Sequence, residues 1–317
     1  MDDFTQKSLL QVHERIKPYI HETPILTSSL INQIGGCSIY FKCENFQKMG
    51  AFKMRGATNA ILQLSKKDQQ KGVVTHSSGN FAQALSLAAK SLGIPAYIVM
   101  PSTAPQVKKD AVKTYNGIIT ECPPTLKNRE ETAQNIVEKK GATFVHPSND
   151  IDVILGQGTA ALELIQKKPN LDCVVTPVGG GGLIAGTALA VNLFTEKTKT
   201  FGAEPFEVDD AYRSLISGKI EINKSSNTIA DGLKTQLGDK NFPIIQKHVD
   251  SIIRVTEDEI KIALKLIWER MKIIVEPSSA VALAAILKKK EDFKNQEIGI
   301  IISGGNVDFN QINLYNN

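Results

Sequence analysis

Cysteine is scarce in this chain. Cys37, Cys43, Cys122 and Cys173 form no Cys-x-x-Cys pair and no regular framework, which argues against a disulfide scaffold or a zinc ribbon. The acidic Met1-Asp2-Asp3 start lacks a signal-peptide pattern, and with the cysteine usage it points to a reducing, cytoplasmic compartment. The five histidines (His13, His21, His76, His146 and His248) show no His-Glu-x-x-His or related spacing, so a zinc enzyme is not expected. Long apolar runs are missing as well: the longest, Ala280 to Leu287, is far too short to span a bilayer. No sign of charge dominates, since 37 basic and 33 acidic residues leave a net +4. The longest basic run, Lys288-Lys289-Lys290, follows an apolar helical stretch and reads as a helix end. Neither a nucleic-acid nor a membrane partner is indicated.

What remains is the pattern of a globular α/β protein. Short β-branched runs suit strands at Ile39–Lys42, Gly72–His76, Ala96–Met100, Ile118–Glu121, Thr143–Val145, Cys173–Pro177, Thr200–Ala203 and Ile298–Ile302. Helical periodicity falls between them, near Phe81–Leu92, Ala104–Tyr115, Asn128–Lys139, Gly156–Gln166, Gly182–Phe194, Glu257–Met271 and Ser278–Lys289. Such alternation predicts mostly parallel sheets flanked by helices, and the number of strands predicts more than one sheet. A compact βαβ series from Gly72 to Pro147 reads as a small domain, 72–147, inserted into a large one made of 1–71 and 148–317. An insertion of this kind leaves a cleft for ligands.

Four segments carry chemistry. Lys53 stands between Phe52 and Met54, with Gly50, Ala51, Gly56 and Ala57 around it. Burial among such neighbours disfavours an ammonium and frees the nucleophilic amine that a Schiff base requires. Taken alone, the segment suits a surface helix lysine better; the other three segments reverse that. The strand at Val174–Val178 runs into Gly179-Gly180-Gly181-Gly182 and a helix start. Four glycines there let backbone N–H groups and the helix dipole meet a phosphate, without the Gly-Lys-Ser/Thr of a Walker loop. Ser77-Ser78-Gly79-Asn80 follows another strand and is suited to grip a carboxylate or a cofactor oxygen, or to serve as a helix cap. Ser303-Gly304-Gly305-Asn306 closes a third strand, where Ser303 can meet a heterocycle. Two further patterns read as ordinary: Gly156-Gln157-Gly158 as helix-start glycines, and Glu204 to Asp210 as an acidic surface loop.

In combination these motifs resemble the fold type II pyridoxal-phosphate enzymes, and within them the serine racemase and serine/threonine dehydratase family. The resemblance runs from His21-Glu22-Thr23-Pro24 to Asp308, and four separated motifs in the right order make it specific. It implies two open, twisted, mostly parallel sheets with a small domain inserted in a larger one. Lys53 would carry pyridoxal 5'-phosphate and act as base on one face of the substrate, with Ser78 as the acid/base group on the other. Phe52, Asn80, Gly179, Gly180, Gly181, Gly182 and Ser303 would hold the cofactor, and Ser77, Ser78, Gly79, Asn80 and Phe81 the amino acid, serine or threonine. A neutral Ser303 hydroxyl at the ring nitrogen would leave a weaker electron sink than a carboxylate partner, so loss of the β-hydroxyl, giving a keto acid and ammonia, would compete with racemisation.

The resemblance also implies Mg²⁺, Ca²⁺ or Mn²⁺ at Glu204, the Val208 carbonyl and Asp210. It implies a homodimer with ATP as an allosteric activator at Ser28, Ser29, Leu30, Lys48, Met49, Gln83, Tyr115, Lys272 and Asn306. Two departures stand out: Phe81 replaces the usual histidine after Asn80, and Ser148 stands where asparagine is common near the cofactor. The resemblance leaves open a dehydratase of threonine or 3-hydroxyaspartate with little racemisation. A catalytically silent binding protein is the alternative from another class, against which the intact Lys53 and Ser78 argue.

Overall fold

A computed structural model describes residues 4–308; the Met1-Asp2-Asp3 start lies outside them. Ten strands are present: β1 (Ile25–Leu26), β2 (Ser38–Cys43), β3 (Val73–His76), β4 (Ala96–Pro101), β5 (Ile118–Cys122), β6 (Thr143–Phe144), β7 (Cys173–Pro177), β8 (Lys199–Pro205), β9 (Ser251–Val255) and β10 (Glu297–Ile302). They form two sheets, a six-stranded one ordered β1-β2-β10-β7-β8-β9 and a four-stranded one ordered β5-β4-β3-β6. Every pairing is parallel except β1 with β2. All four strands of the second sheet come from within residues 73–144.

The register of the large sheet decides where chemistry can occur. β10 lies between β2 and β7, with Ile302 opposite Cys43 and Ile300 opposite Val175. The carboxyl ends of three strands therefore open side by side, the position where ligands bind in open α/β sheets. Ile298, Ile300, Ile301 and Ile302 are all fully buried, as expected of a central strand covered on both faces. One cover is the Pro277–Lys288 helix, which packs against the β7, β8, β9 and β10 side. The other is made by the Ile151–Lys167 and Gly182–Phe194 helices.

Those last two helices correct one expectation. Gly156 and Gly158 do not start a helix; they lie inside the Ile151–Lys167 helix, which Asp150 caps by accepting from the Asp152 and Val153 N–H groups. Their role is close approach. A Cβ on Gly158 would stand 2.6 Å from the Gly186 carbonyl oxygen, and one on Gly156 would stand 2.7 Å from the Arg55 carbonyl oxygen. The predicted long helix Glu257–Met271 is also two pieces, an α-helix Glu257–Leu266 followed by a π turn Ile267–Met271 that ends at Lys272 in the left-handed region.

The Gly158 contact yields a clear expectation. Alanine is the better helix former by about 1 kcal/mol, yet here the clash is with backbone, which cannot swing aside. Gly158→Ala is expected to lose about 1–3 kcal/mol net, measured by denaturant unfolding; an unchanged or higher midpoint would contradict the contact.

Candidate active site

Lys53 is the first residue of the Lys53–Gln63 helix and is half-buried. Its Nζ donates to the Pro147 carbonyl at 2.8 Å and stands 5.0 and 5.7 Å from the ring centres of Phe52 and Phe81. Burial lowers its pKa from the ordinary 10.5 to about 8, and the Glu276 carboxylate alone works against that shift. A neutral amine is thus accessible near physiological pH, which no exposed lysine offers.

Backbone contacts fix this lysine relative to β10. The Phe52 N–H donates to the Ser303 carbonyl at 3.0 Å, the Gly305 N–H to Gly50 at 2.8 Å, and Ala51 bridges Gly304. The Ser303 hydroxyl stands 2.9 Å from the Ser279 hydroxyl, so its nearest polar partner is neutral.

The loop after β3 leads into Phe81, whose ring centre lies 5.7 Å from Lys53 Nζ. Asn80 opens the Asn80–Ser91 helix, and neither it nor Ser78 caps that helix, since Gly79 occupies the cap position without a side-chain bond. Asn80 Nδ2 instead reaches Glu276 at 3.0 and 3.1 Å, and its Oδ1 accepts from Asn306 Nδ2 at 2.9 Å. Among the described residues the Ser78 hydroxyl has no hydrogen-bond partner, and it remains partly exposed. Phe81 is buried in the core beside Met54 and Leu85. The His146 Nδ1 accepts from the Ser148 and Asn149 N–H groups, fixing the turn that presents the Pro147 carbonyl to Lys53. Burial, with His76 and Lys53 nearby, pushes the His146 pKa down to about 4, so this ring is neutral.

The glycine loop after β7 packs so closely against neighbouring segments that it has no room for side chains. Gly181 has φ +80°, and a Cβ there would meet Leu237 at 2.6 Å and Asn241 at 2.7 Å. A Cβ on Gly180 would meet Ser148 Oγ at 2.4 Å, and one on Gly182 would meet Gln157 Oε1 at 2.6 Å. The N–H groups of Gly179, Gly180 and Gly181 have no acceptor among the described residues. The fully buried Gln157 amide likewise lacks a partner at both Oε1 and Nε2. Free donors at the N-terminus of a 13-residue helix suit an anion. The residues therefore fit a cofactor phosphate.

Glu276, which with Pro277 forms part of the family resemblance, carries no expected site role because its partner Asn80 lies 196 residues away in the chain. The residue is almost fully buried, and burial raises its pKa to about 7. Sequence reasoning misread the acidic segment. Glu204 ends in β8 and Asp210 begins a helix, and both are fully buried rather than on a surface loop. The two Glu204 oxygens accept from the Ala211 and Tyr212 N–H groups at 3.2 and 2.8 Å. Those of Asp210 accept from Asn223 Nδ2 at 2.7 Å and the Leu237 N–H at 3.0 Å. Burial raises both pKa values, that of Asp210 to about 6, and the Asp210 charge adds to the effect on Glu204. Two buried carboxyl groups without an ion-pair partner among the described residues, together with the buried Val208, fit a hard divalent cation.

The nine residues of the implied nucleotide site fall into separate groups. Ser28 caps the Ser29–Gly35 helix that also bears Leu30, whereas Met49 and Asn306 are joined by a 2.8 Å hydrogen bond beside Lys48. Gln83 belongs to the Asn80–Ser91 helix, Tyr115 follows the Gln106–Thr114 helix, and Lys272 follows the π turn. No hydrogen bond or ion pair among the described residues joins Ser28–Leu30 to the rest.

The matching family model, described as pyridoxal-phosphate dependent enzyme, spans residues 16–304. The chain is 52% identical over 318 residues to a serine racemase of Dictyostelium discoideum, covering 98% of each. It is 49% identical over 308 residues to a beta-hydroxyaspartate dehydratase of Paracoccus denitrificans, covering 97% of this chain and 98% of the relative. The crystal structure of the Dictyostelium discoideum serine racemase superposes with a TM-score of 0.92 over 96% of this chain and 99% of that one. The chain belongs to the pyridoxal-phosphate dependent enzyme family.

The electrostatics carry their own test. In cofactor-free protein, capture of an aldehyde by Lys53 is expected to rise with a midpoint near pH 8, well below the 10.5 of a free lysine. Above about pH 7 Glu276 is ionised and is the charge that holds the lysine up, so Glu276→Gln should move the midpoint lower. A midpoint near 10.5, or an upward move in the variant, would contradict the assignment.

Proposed function

We propose that this chain interconverts L- and D-serine and, in the same site, eliminates water from serine to an enamine that water then hydrolyses to pyruvate and ammonia. The observation that carries this reading is a half-buried lysine of lowered pKa, Lys53, beside Phe81 of the segment that also bears the partnerless Ser78 hydroxyl. The 52% identity to a serine racemase over nearly the whole chain supports it.

Bound at the site, pyridoxal phosphate supplies a sink for the electrons left when the substrate Cα loses its proton. Gly179–Gly182 hold its phosphate, with Gln157 as a further donor. Asn80, oriented by Glu276 and Asn306, would hold the ring oxygen, and Ser303 would meet the ring nitrogen. The amide groups of the 77–80 loop take the substrate carboxylate. Lys53 takes and returns the proton on one face, and Ser78 does so on the other. Two-sided exchange inverts the centre, whereas a one-sided site returns the same hand. Because Ser303 is backed by Ser279 and not by a carboxylate, it would not hold a ring nitrogen protonated, and β-elimination would compete.

A divalent cation at Glu204, the Val208 carbonyl and Asp210 would neutralise two buried carboxylates and stiffen the segment between them. ATP would act as an activator between two copies of the chain. Leu30 and Ile34 support this, because they are 40% and 43% exposed and lie one turn apart on one helix face beside Ser28 and Ser29. A monomer by light scattering would contradict the shared nucleotide site. The second reading, a 3-hydroxyaspartate dehydratase, is supported by the 49% identity to such an enzyme.

Chiral analysis of products from L-serine, with and without Mg²⁺ and ATP, separates these readings. D-serine and pyruvate should both form, and each addition should raise the rate. Ser78→Ala is expected to cut D-serine formation by about 10² or more while pyruvate persists. Pyruvate without D-serine from the unaltered protein would favour the dehydratase, and indifference to Mg²⁺ would leave the buried carboxylates without a metal role.

A further inference from the structure

Two residues beyond Lys53, on the opposite side of the same helix, Arg55 sits in a fully buried cluster of charge. Its Nε and Nη2 donate to the two oxygens of Glu44 at 2.7 and 2.8 Å, and Nη1 and Nη2 donate to those of Glu163 at 2.7 and 2.9 Å. Nη1 also reaches Thr159 Oγ1 at 3.1 Å. Lys42 Nζ donates to Glu163 at 2.5 Å and to the Thr23 carbonyl at 2.7 Å, and the Thr23 hydroxyl donates to Glu44 at 2.5 Å. Two cations, Arg55 and Lys42, balance two anions, Glu44 and Glu163. The nearby His13 has its pKa lowered by burial, which keeps it neutral. A charge set of this kind is retained only where its geometry is complete, because a hydrophobic replacement would be as stable.

The cluster ties together four separate parts of the chain: the entry segment at Thr23, the end of β2, the Lys53–Gln63 helix and the Ile151–Lys167 helix. Successive helical residues are turned by about 100°, so Arg55 faces away from the side that presents Lys53. On the same helix, a Cβ on Gly56 would stand 2.7 Å from the Val153 carbonyl oxygen, which holds the two helices at backbone contact. The planar guanidinium forks onto both carboxylates, which an ammonium cannot do.

We propose that Arg55 is a positioning residue for Lys53. Its double fork onto Glu44 and Glu163 fixes the axial position and rotation of the helix's first turn, and so sets where the Lys53 amine stands relative to the glycine loop and Ser303. This rests on Lys53 carrying the cofactor. A purely structural cluster would affect stability alone; a positioning cluster must also move the chemistry of the amine.

The test uses holoenzyme of Arg55→Lys, Arg55→Met and Thr159→Val, with circular dichroism to establish folding. For Arg55→Met, kcat for pyruvate formation is expected to fall about 100-fold with KM for serine changed less than about twofold. The pH midpoint of the cofactor's visible absorption should move upward, because a looser helix admits water to the linked nitrogen. Arg55→Lys keeps the charge without the fork and should recover only part of the rate. Folded variants with an unchanged midpoint and unchanged kcat overturn the proposal, as does full recovery in Arg55→Lys. Should both Arg55 variants fail to fold, Thr159→Val decides: a shifted midpoint supports positioning, and lower stability with an unshifted midpoint refutes it. If Lys53→Ala leaves the visible absorption intact, the functional reading itself falls and this inference falls with it.

Discussion

The hydrogen bond from the Phe52 N–H to the Ser303 carbonyl, 3.0 Å long, joins the loop that carries Lys53 to the end of β10. Its consequences spread in both directions. β10 is paired to β7, so the glycine loop stands beside Ser303. β2 is paired to the other edge of β10, which brings Glu44 and, through it, Arg55 to the same sheet end. Glu276 closes the circuit, with its N–H donating to the Gly304 carbonyl and its carboxylate receiving Asn80 from the loop of the second sheet. Parallel pairing supplies the proximity that catalysis requires, and the side chains then need only local adjustment.

Electrostatically, the two sides of the Lys53 helix are opposites. On the cleft side, burial drives the Lys53 pKa down to about 8 and the Glu276 pKa up to about 7. Both groups lie close enough to neutrality that moving a proton there costs little, the arrangement expected of acid–base chemistry. On the core side, Arg55, Lys42, Glu44 and Glu163 are held in place by complementary hydrogen-bonded partners. The same helix thus has a lysine of lowered pKa on one side and a fully hydrogen-bonded charge framework on the other.

Much of this was legible in the sequence because it is local. Strands, glycines and hydroxyls next to one another in the chain mark strand ends, and three such ends were found as Ser77–Asn80, Gly179–Gly182 and Ser303–Asn306. What could not be read depends on partners far apart. Arg55 meets Glu163 across 108 residues, and Asn80 meets Glu276 across 196. Gly156 and Gly158 show a further limit, since a glycine that lets helices touch is spelled like a glycine that starts one. β1 has two residues and β9 pairs along one edge only, so neither carries the uninterrupted apolar run that marked β10. Glu204 and Asp210 looked like surface acids because nothing in the local spelling reveals burial.

The function proposed for this site requires Lys53 to be the one covalent attachment point of the cofactor. Borohydride reduction of the holoenzyme followed by proteolysis and mass analysis reads that point directly. The expected result is a single modified peptide carrying the cofactor's added mass on Lys53. Modification at another lysine, or spread across several with Lys53 unmarked, would contradict it.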